Sequence, residues 1–235
     1  MSITNTPIRD LAAAHPASIT VFERFQIDLC AMGDKSLAEV CSTLSLSLDQ
    51  VEEKITALLP EESGAGELSS LSLMQLIQRI VRVHHRRVRQ DLPALLRLAD
   101  RLAARHDTTA SLRQNMQRLH TSLLCHIDAE EQLIFPLIAR LAEAGATPIQ
   151  EADHLKRNLL HMQLDHDTAV ETLDELRNLT MGFTPPAMAC AAHRALFHGL
   201  DDFDQDLRSH LYLEEDVLFP RALALHASLG ERSEA

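Results

Sequence analysis

The segment HIDAEEQLIFP at residues 126–136 is echoed by HLYLEEDVLFP at residues 210–220, 84 positions later. His, Glu, Glu, Phe and Pro recur in the same register. Each copy lies in a long stretch whose apolar residues return every three or four positions, the period of an amphipathic helix. A further long helical stretch precedes each copy, so the chain is constrained to a duplicated helical hairpin. The four stretches cover about 71–106, 109–145, 148–179, and from after Thr184-Pro185-Pro186 to about 228. Gly145 suits a helix end and Pro148 a first turn, while Pro93 predicts a kink. The connections are short, so neighbouring helices run antiparallel. The expected architecture is all-α, an up-down-up-down four-helix bundle.

The rest of the chain agrees with a helical fold. Seven Gly, no Trp and few β-branched residues stand against abundant Leu, Ala, Arg, Glu and Gln, so almost no sheet is expected. Residues 8–59 hold short amphipathic pieces, and the Pro, Gly, Ser and acidic residues that follow read as a linker. The predicted division is a small helical N-terminal domain over 1–60, a linker over 61–70 and the bundle over 71–230. A formal net charge of −12 argues against nucleic acid or an anionic membrane surface as partner. No apolar leader follows the opening residues and no apolar run reaches membrane-spanning length. Four cysteines without a CxxC pair suit a reducing cytoplasm.

Polar residues interrupt the apolar stripes. Leu112, Met116, Leu119 and Leu123 lead to His126 and Glu130, then Leu133 and Leu137. Leu196, Leu200, Phe203 and Leu207 lead to His210 and Glu214, then Val217. In the first helix Leu73, Ile77 and Ile80 lead to His84 and Val88, with His85 turned away beside arginines. In the third, Leu155, Leu159 and Met162 lead to His166, then Val170 and Leu173. His126, His166 and His210 each lie roughly 18–20 residues from a connection, hence at similar depth at about 1.5 Å per residue.

Four imidazoles and two carboxylates in an apolar interior need a compensating partner, because an unpaired buried carboxylate costs several kcal/mol. Metal ions satisfy the whole set, and bundles host dinuclear sites built from inward-facing residues of all four helices. Two six-coordinate ions offer about twelve positions, of which the imidazoles and two bridging carboxylates fill about eight. An oxo bridge and a small exogenous ligand then have room. Imidazole suits Fe, Zn, Cu and Ni, so residue type leaves zinc open. Two H-x-x-x-E pairs arise easily by chance; duplication in register on buried stripes does not. Phe135-Pro136 and Phe219-Pro220 are read as ending or kinking their helices. Glu131 and Glu215, rotated about 100° from their neighbours, are read as supporting or surface groups.

The doubled H-x-x-x-E with F-P following, plus a single His on each remaining helix, resembles the hemerythrin-like di-iron bundles. With FQIDLCAMGDKSLAEVC ahead of it, VRVHHRRVRQDLP and LDHDTAVE, nearly the whole chain is similar to the repair-of-iron-centres (RIC) family of bacterial nitrosative- and oxidative-stress proteins. That resemblance implies two Fe ions, oxo- and carboxylate-bridged, held by His84, His126, Glu130, His166, His210 and Glu214. It also brings in a further histidine corresponding to His106, given a capping or supporting role because it lies about 33 Å beyond His84 on a continuous helix. One departure stands out: the family's adjacent cysteines are reduced to Cys30, followed by Ala31 and Met32. Cys41 substitutes only if folding brings it close.

The implied function is a cytoplasmic non-heme di-iron protein that assists repair of damaged iron–sulfur clusters by donating iron, with damaged iron–sulfur proteins as partners. The alternative is an NO-binding scavenger or sensor linked to denitrification, with NO or O2 as the small ligand. An enzyme such as an NO reductase or peroxidase ranks behind both, since no proton-delivery chain is legible. The oligomeric state is left open, a dimer included.

Overall fold

A computed structural model describes residues 3–58, 68–103, 110–144 and 149–233. His106, most of the expected linker, and the Gly145 and Pro148 boundaries lie outside the described residues. Among the described residues there is no strand, only an isolated bridge pairing Pro7 with Ser36. The fold is all-α, with short N-terminal helices followed by a four-helix bundle. No described helix is long and apolar enough to cross a membrane.

Five short helices come first: α1 (Ile8–Ala14), α2 (Ser18–Arg24), α3 (Leu29–Met32), α4 (Leu37–Leu44) and α5 (Leu48–Thr56). Pro16 divides α1 from α2, because the residue before a proline is driven out of helical backbone; His15 sits at φ −137° and ψ 76°. Ser36 and Glu39 close a reciprocal cap on α4, and the Ser47 side chain accepts the Gln50 N–H at the start of α5.

The bundle helices are α6 (73–103), α7 (110–144), α8 (Ile149–Leu179) and α9 (191–233). Three of them contain a π-helical segment: Ile80–His85 in α6, Glu130–Ile134 in α7 and Leu213–Leu218 in α9. Helix α6 continues through Pro93. Pro136 and Pro220 do not end their helices either; each stands second in the α-helical stretch that follows a π segment. Their i−4 carbonyls, on Gln132 and Asp216, fall inside those widened turns, where the missing N–H and the ring are accommodated. Helix α9 starts at Ala191 rather than directly after Pro186, because a turn closed by the Ala189 N–H donating to the Pro186 carbonyl at 2.8 Å comes first.

By contacts the chain divides into two compact units. The first comprises 1–61, 87–120 and 173–205. Its core includes Ile8, Ile19, Phe22, Leu37, Val51, Ile55, Leu92, Leu95 and Phe203. Asp91 is buried there with its charge answered: it accepts the Ala17 N–H at 3.1 Å and the Arg87 Nε–H at 2.9 Å. Two glycines mark close approaches. A Cβ on Gly33 would run into Ala191 Cβ, and one on Gly199 would lie 2.7 Å from Leu95 Cδ2.

The second unit comprises 62–86, 121–172 and 206–235. Its apolar cluster joins Leu73, Leu76, Ile77 and Ile80 to Ile134, Phe135, Ile138, Leu155, Leu159, Leu218 and Phe219. Leu133, expected on the stripe, is 63% exposed, and its neighbour Ile134 is buried instead. Val217 is likewise half-buried while Leu218 is buried. A π turn adds a residue, so the buried face moves one position along the sequence.

The Gly33 contact generates a stability test. Gly33→Ala must displace the Ala191 backbone, and we expect a loss of about 1–3 kcal/mol in urea unfolding. An unchanged midpoint would show that the approach is loose.

Candidate metal centre

The second unit gathers six buried polar side chains from all four bundle helices. In α7, His126 and Glu130 are one turn apart on the core face, as are His210 and Glu214 in α9; α8 contributes His166. These five stand where their spacing puts them. The first helix differs. His85, expected to face away, is fully buried among these groups, and His84 is not brought into them. The cause is the π segment Ile80–His85: five residues separate Ile80 from the next core position, so the stripe passes to His85.

The ligand-capable atoms fall into two sets, each spanning less than 4.8 Å. One is His85, His210, Glu130 and Glu214; the other is His126, His166, Glu130 and Glu214. Each carboxylate divides its oxygens between the sets. Glu130 Oε2 is 3.3 Å from His85 Nε2, while its Oε1 is 3.2 Å from His126 Nε2. Glu214 Oε1 is 2.9 Å from His210 Nε2, while its Oε2 is 3.3 Å from His166 Nε2. Every imidazole presents Nε2. Both Glu130 oxygens and Glu214 Oε2 are buried without an aligned hydrogen bond. Two contacts close directly within the sets: His126 Nε2 lies 2.9 Å from His166 Nε2, and His210 Nε2 lies 2.9 Å from Glu214 Oε1. Orphaned buried carboxylate oxygens are costly, and two imidazole nitrogens with two carboxylate oxygens per set form a donor group suited to a transition ion. The residues fit a pair of cations bridged by two carboxylates.

A surrounding layer orients two of the rings, His85 and His166, and it repeats with the sequence. His85 Nδ1–H donates to Glu131 at 2.7 Å, and His166 Nδ1–H donates to Glu215 at 2.7 Å. Phe135 stacks on His85 with centroids 5.6 Å apart, and Phe219 stacks on His166 at 6.4 Å. Within each copy of the motif, His and the first Glu face the centre. The second Glu and the Phe hold the histidine of the preceding helix. A carboxylate on Nδ1 fixes the tautomer that leaves the Nε2 lone pair free, a usual support for a metal-bound imidazole. His84 forms part of this layer: it stacks on His210 at 5.4 Å and its Nδ1–H donates to Asp206 at 3.1 Å. Sequence reasoning missed His85; the adjacent His-His pair was the only available signal.

The electrostatics favour charged rings beside charged carboxylates. Burial alone pushes His85 and His166 down, but the Glu130 and Glu214 carboxylates outweigh it and raise both to about 9. Burial likewise opposes ionisation of Glu214, and His210, His166 and His85 overcome it, holding that carboxyl well below its usual range. With folded values above 6.5, the two imidazolium groups stabilise a metal-free fold below that pH, and the gain is lost as pH rises through about 9. Cation binding needs the neutral rings and so competes with protons.

The mirrored supports generate a paired prediction. Glu131→Ala and Glu215→Ala release equivalent rings, so each is expected to weaken metal affinity about 10–100-fold in a chelator competition, with helicity retained. Unchanged affinity in both variants would mean that the rings are held by packing alone.

Comparison with known proteins agrees with this geometry. The profile of the hemerythrin HHE cation binding domain matches residues 76–222, and that of a domain of unknown function, DUF542, matches residues 4–59. The iron–sulfur cluster repair proteins YtfE of Yersinia pestis (strain Pestoides F) and Yersinia pseudotuberculosis serotype O:1b (strain IP 31758) are each 31% identical to this chain over 228 residues. That alignment covers 95% of this chain and 99% of each relative. The motif-level resemblance therefore extends along the whole sequence, and the chain belongs to the hemerythrin-like repair-of-iron-centres family.

Proposed function

We propose that this chain is a cytoplasmic non-heme di-iron protein of the nitrosative and oxidative stress response that assists repair of damaged iron–sulfur clusters by donating iron. The observation that carries the reading is the division of the Glu130 and Glu214 oxygens between two imidazole pairs. The proposed ligands are His85, His126, Glu130, His166, His210 and Glu214, with both glutamates bridging; His85 takes the place that the sequence pattern gives to His84. Iron held there would supply redox chemistry and a point of attachment for a small ligand. The chain's own residues orient His85 and His166 through Glu131 and Glu215 and stack Phe135 and Phe219 on those rings. The names of the Yersinia relatives support cluster repair as the role and damaged iron–sulfur proteins as the partners. The two profile matches support a small N-terminal domain over 1–60 ahead of the bundle.

Burial of the centre favours NO binding as the second reading. All six proposed ligands are at most 4% exposed, which suits a diatomic ligand better than a large one. In that reading NO or O2 meets the iron pair and the protein is a scavenger or sensor.

Two outcomes follow. Purified protein is expected to carry about two irons, one per imidazole pair; His85→Ala loses metal and His84→Ala largely retains it. The reverse order, or full retention in both, would refute the ligand set. For the role, iron-loaded protein is mixed with an apo iron–sulfur protein and a sulfide source. Donation predicts that cluster absorbance grows as this chain's iron content falls. Cluster growth without that fall leaves NO binding as the reading, tested by anaerobic NO titration of the reduced protein.

A further inference from the structure

Two free cysteines meet in the first unit. Cys30, on α3, and Cys190, immediately before α9, are 160 positions apart in sequence, yet their sulfur atoms are 3.3 Å apart. Sequence reasoning left Cys30 with only Cys41 as a conceivable partner; the fold supplies Cys190 instead. The approach is built into the surrounding backbone. Asp28 accepts the N–H groups of Cys30 and Ala31, fixing the start of α3. The Cys190 carbonyl accepts the Arg194 N–H, making Cys190 the first turn's anchor for α9. Gly33, three residues after Cys30, lies against Ala191, one residue after Cys190, with no room for a Cβ between them. The two thiols are therefore held together by two anchored helix starts rather than by chance rotamers.

A cavity of about 310 Å³ reaches Cys30, lined by Glu23, Ile27, Asp28, Leu98, Arg101 and Ala192 among others. Cys30 forms part of its wall. A disulfide needs the sulfurs about 2.05 Å apart, so closure asks for a shift of little more than 1 Å.

We propose that Cys30 and Cys190 are a redox-active dithiol that closes to an intramolecular disulfide by exchange with a low-molecular-weight disulfide of the glutathione class, entering through this cavity. The Cys30 thiolate attacks one sulfur of the small disulfide, forming a mixed disulfide and expelling one small thiolate. The Cys190 thiolate then attacks the Cys30 sulfur, and the second small thiolate leaves. Two cysteine thiols are oxidised, one small disulfide is reduced to two thiols, and the two cysteine protons pass to the departing thiolates. Burial, followed by the neighbouring Cys190, pushes the Cys30 thiol up to about 11 against the pull of the Ala192 N–H. The attacking thiolate is therefore a small fraction at neutral pH, and the exchange is expected to quicken as pH rises. The bond would tie α3 to the start of α9 within the first unit.

The test uses full-length, metal-loaded protein equilibrated in glutathione buffers of graded redox ratio, then alkylated and mapped by peptide mass spectrometry. Because Cys125 is exposed, a Cys125→Ser protein is run beside the wild type. The expected result is the loss of two alkylatable thiols with one linked peptide pair, Cys30 to Cys190, before Cys41 reacts. In that background Cys190→Ser traps glutathione on Cys30, whereas Cys30→Ser leaves Cys190 unmodified. Both thiols remaining alkylatable in the most oxidising buffer, or linkage through Cys41, would overturn the proposal. The mapping of wild-type protein decides the matter even if a serine variant fails to fold.

Discussion

Two glutamates, each lending one oxygen to either of two imidazole pairs, are the constraint around which the second unit is arranged. A buried carboxylate is costly unless opposite charge reaches both of its oxygens. Here Glu130 and Glu214 meet four Nε2 atoms between 2.9 and 3.3 Å in their nearest pairings. Removing any one group would leave the others uncompensated in an apolar interior, so the six side chains are required together. The supporting layer serves the same need at two of the rings: Glu131 and Phe135 hold His85 from behind, and Glu215 and Phe219 hold His166.

The duplicated motif is thus a duplicated division of labour. In each copy the first Glu bridges the two imidazole pairs, the second steadies a ring on the helix before it, and the Phe covers that ring. The proline comes where a π turn has opened the helix and a missing N–H is tolerated. Each recurrent residue of the motif has a task at or beside one centre. Helix formation alone would not ask for this recurrence, because helices need only an apolar stripe.

Much of this was legible before any coordinates. Period and composition indicated an all-α bundle, and simple helical counting put His126, Glu130, His166, His210 and Glu214 on the buried face, where they lie. What defeated the counting was the π segments, whose positions decided where errors fell. In α7 and α9 the widened turns come at or after the inward His and Glu, so only Leu133 and Val217 were misplaced. In α6 the widened turn comes before the histidine, so the error fell on His84 and His85. Helix α8 has none, and His166 was found directly. The pairing of Cys30 with Cys190 was beyond reach for another reason: it depends on two remote helix starts meeting, which no local period encodes.

Anomalous diffraction at the iron edge, on crystals of the protein as isolated, addresses the central claim without reliance on variants. A dinuclear centre gives two peaks between Glu130 and Glu214, one against the Nε2 atoms of His85 and His210, the other against those of His126 and His166. Peaks elsewhere, a single peak, or coordination through His84 with His85 turned outward would contradict it.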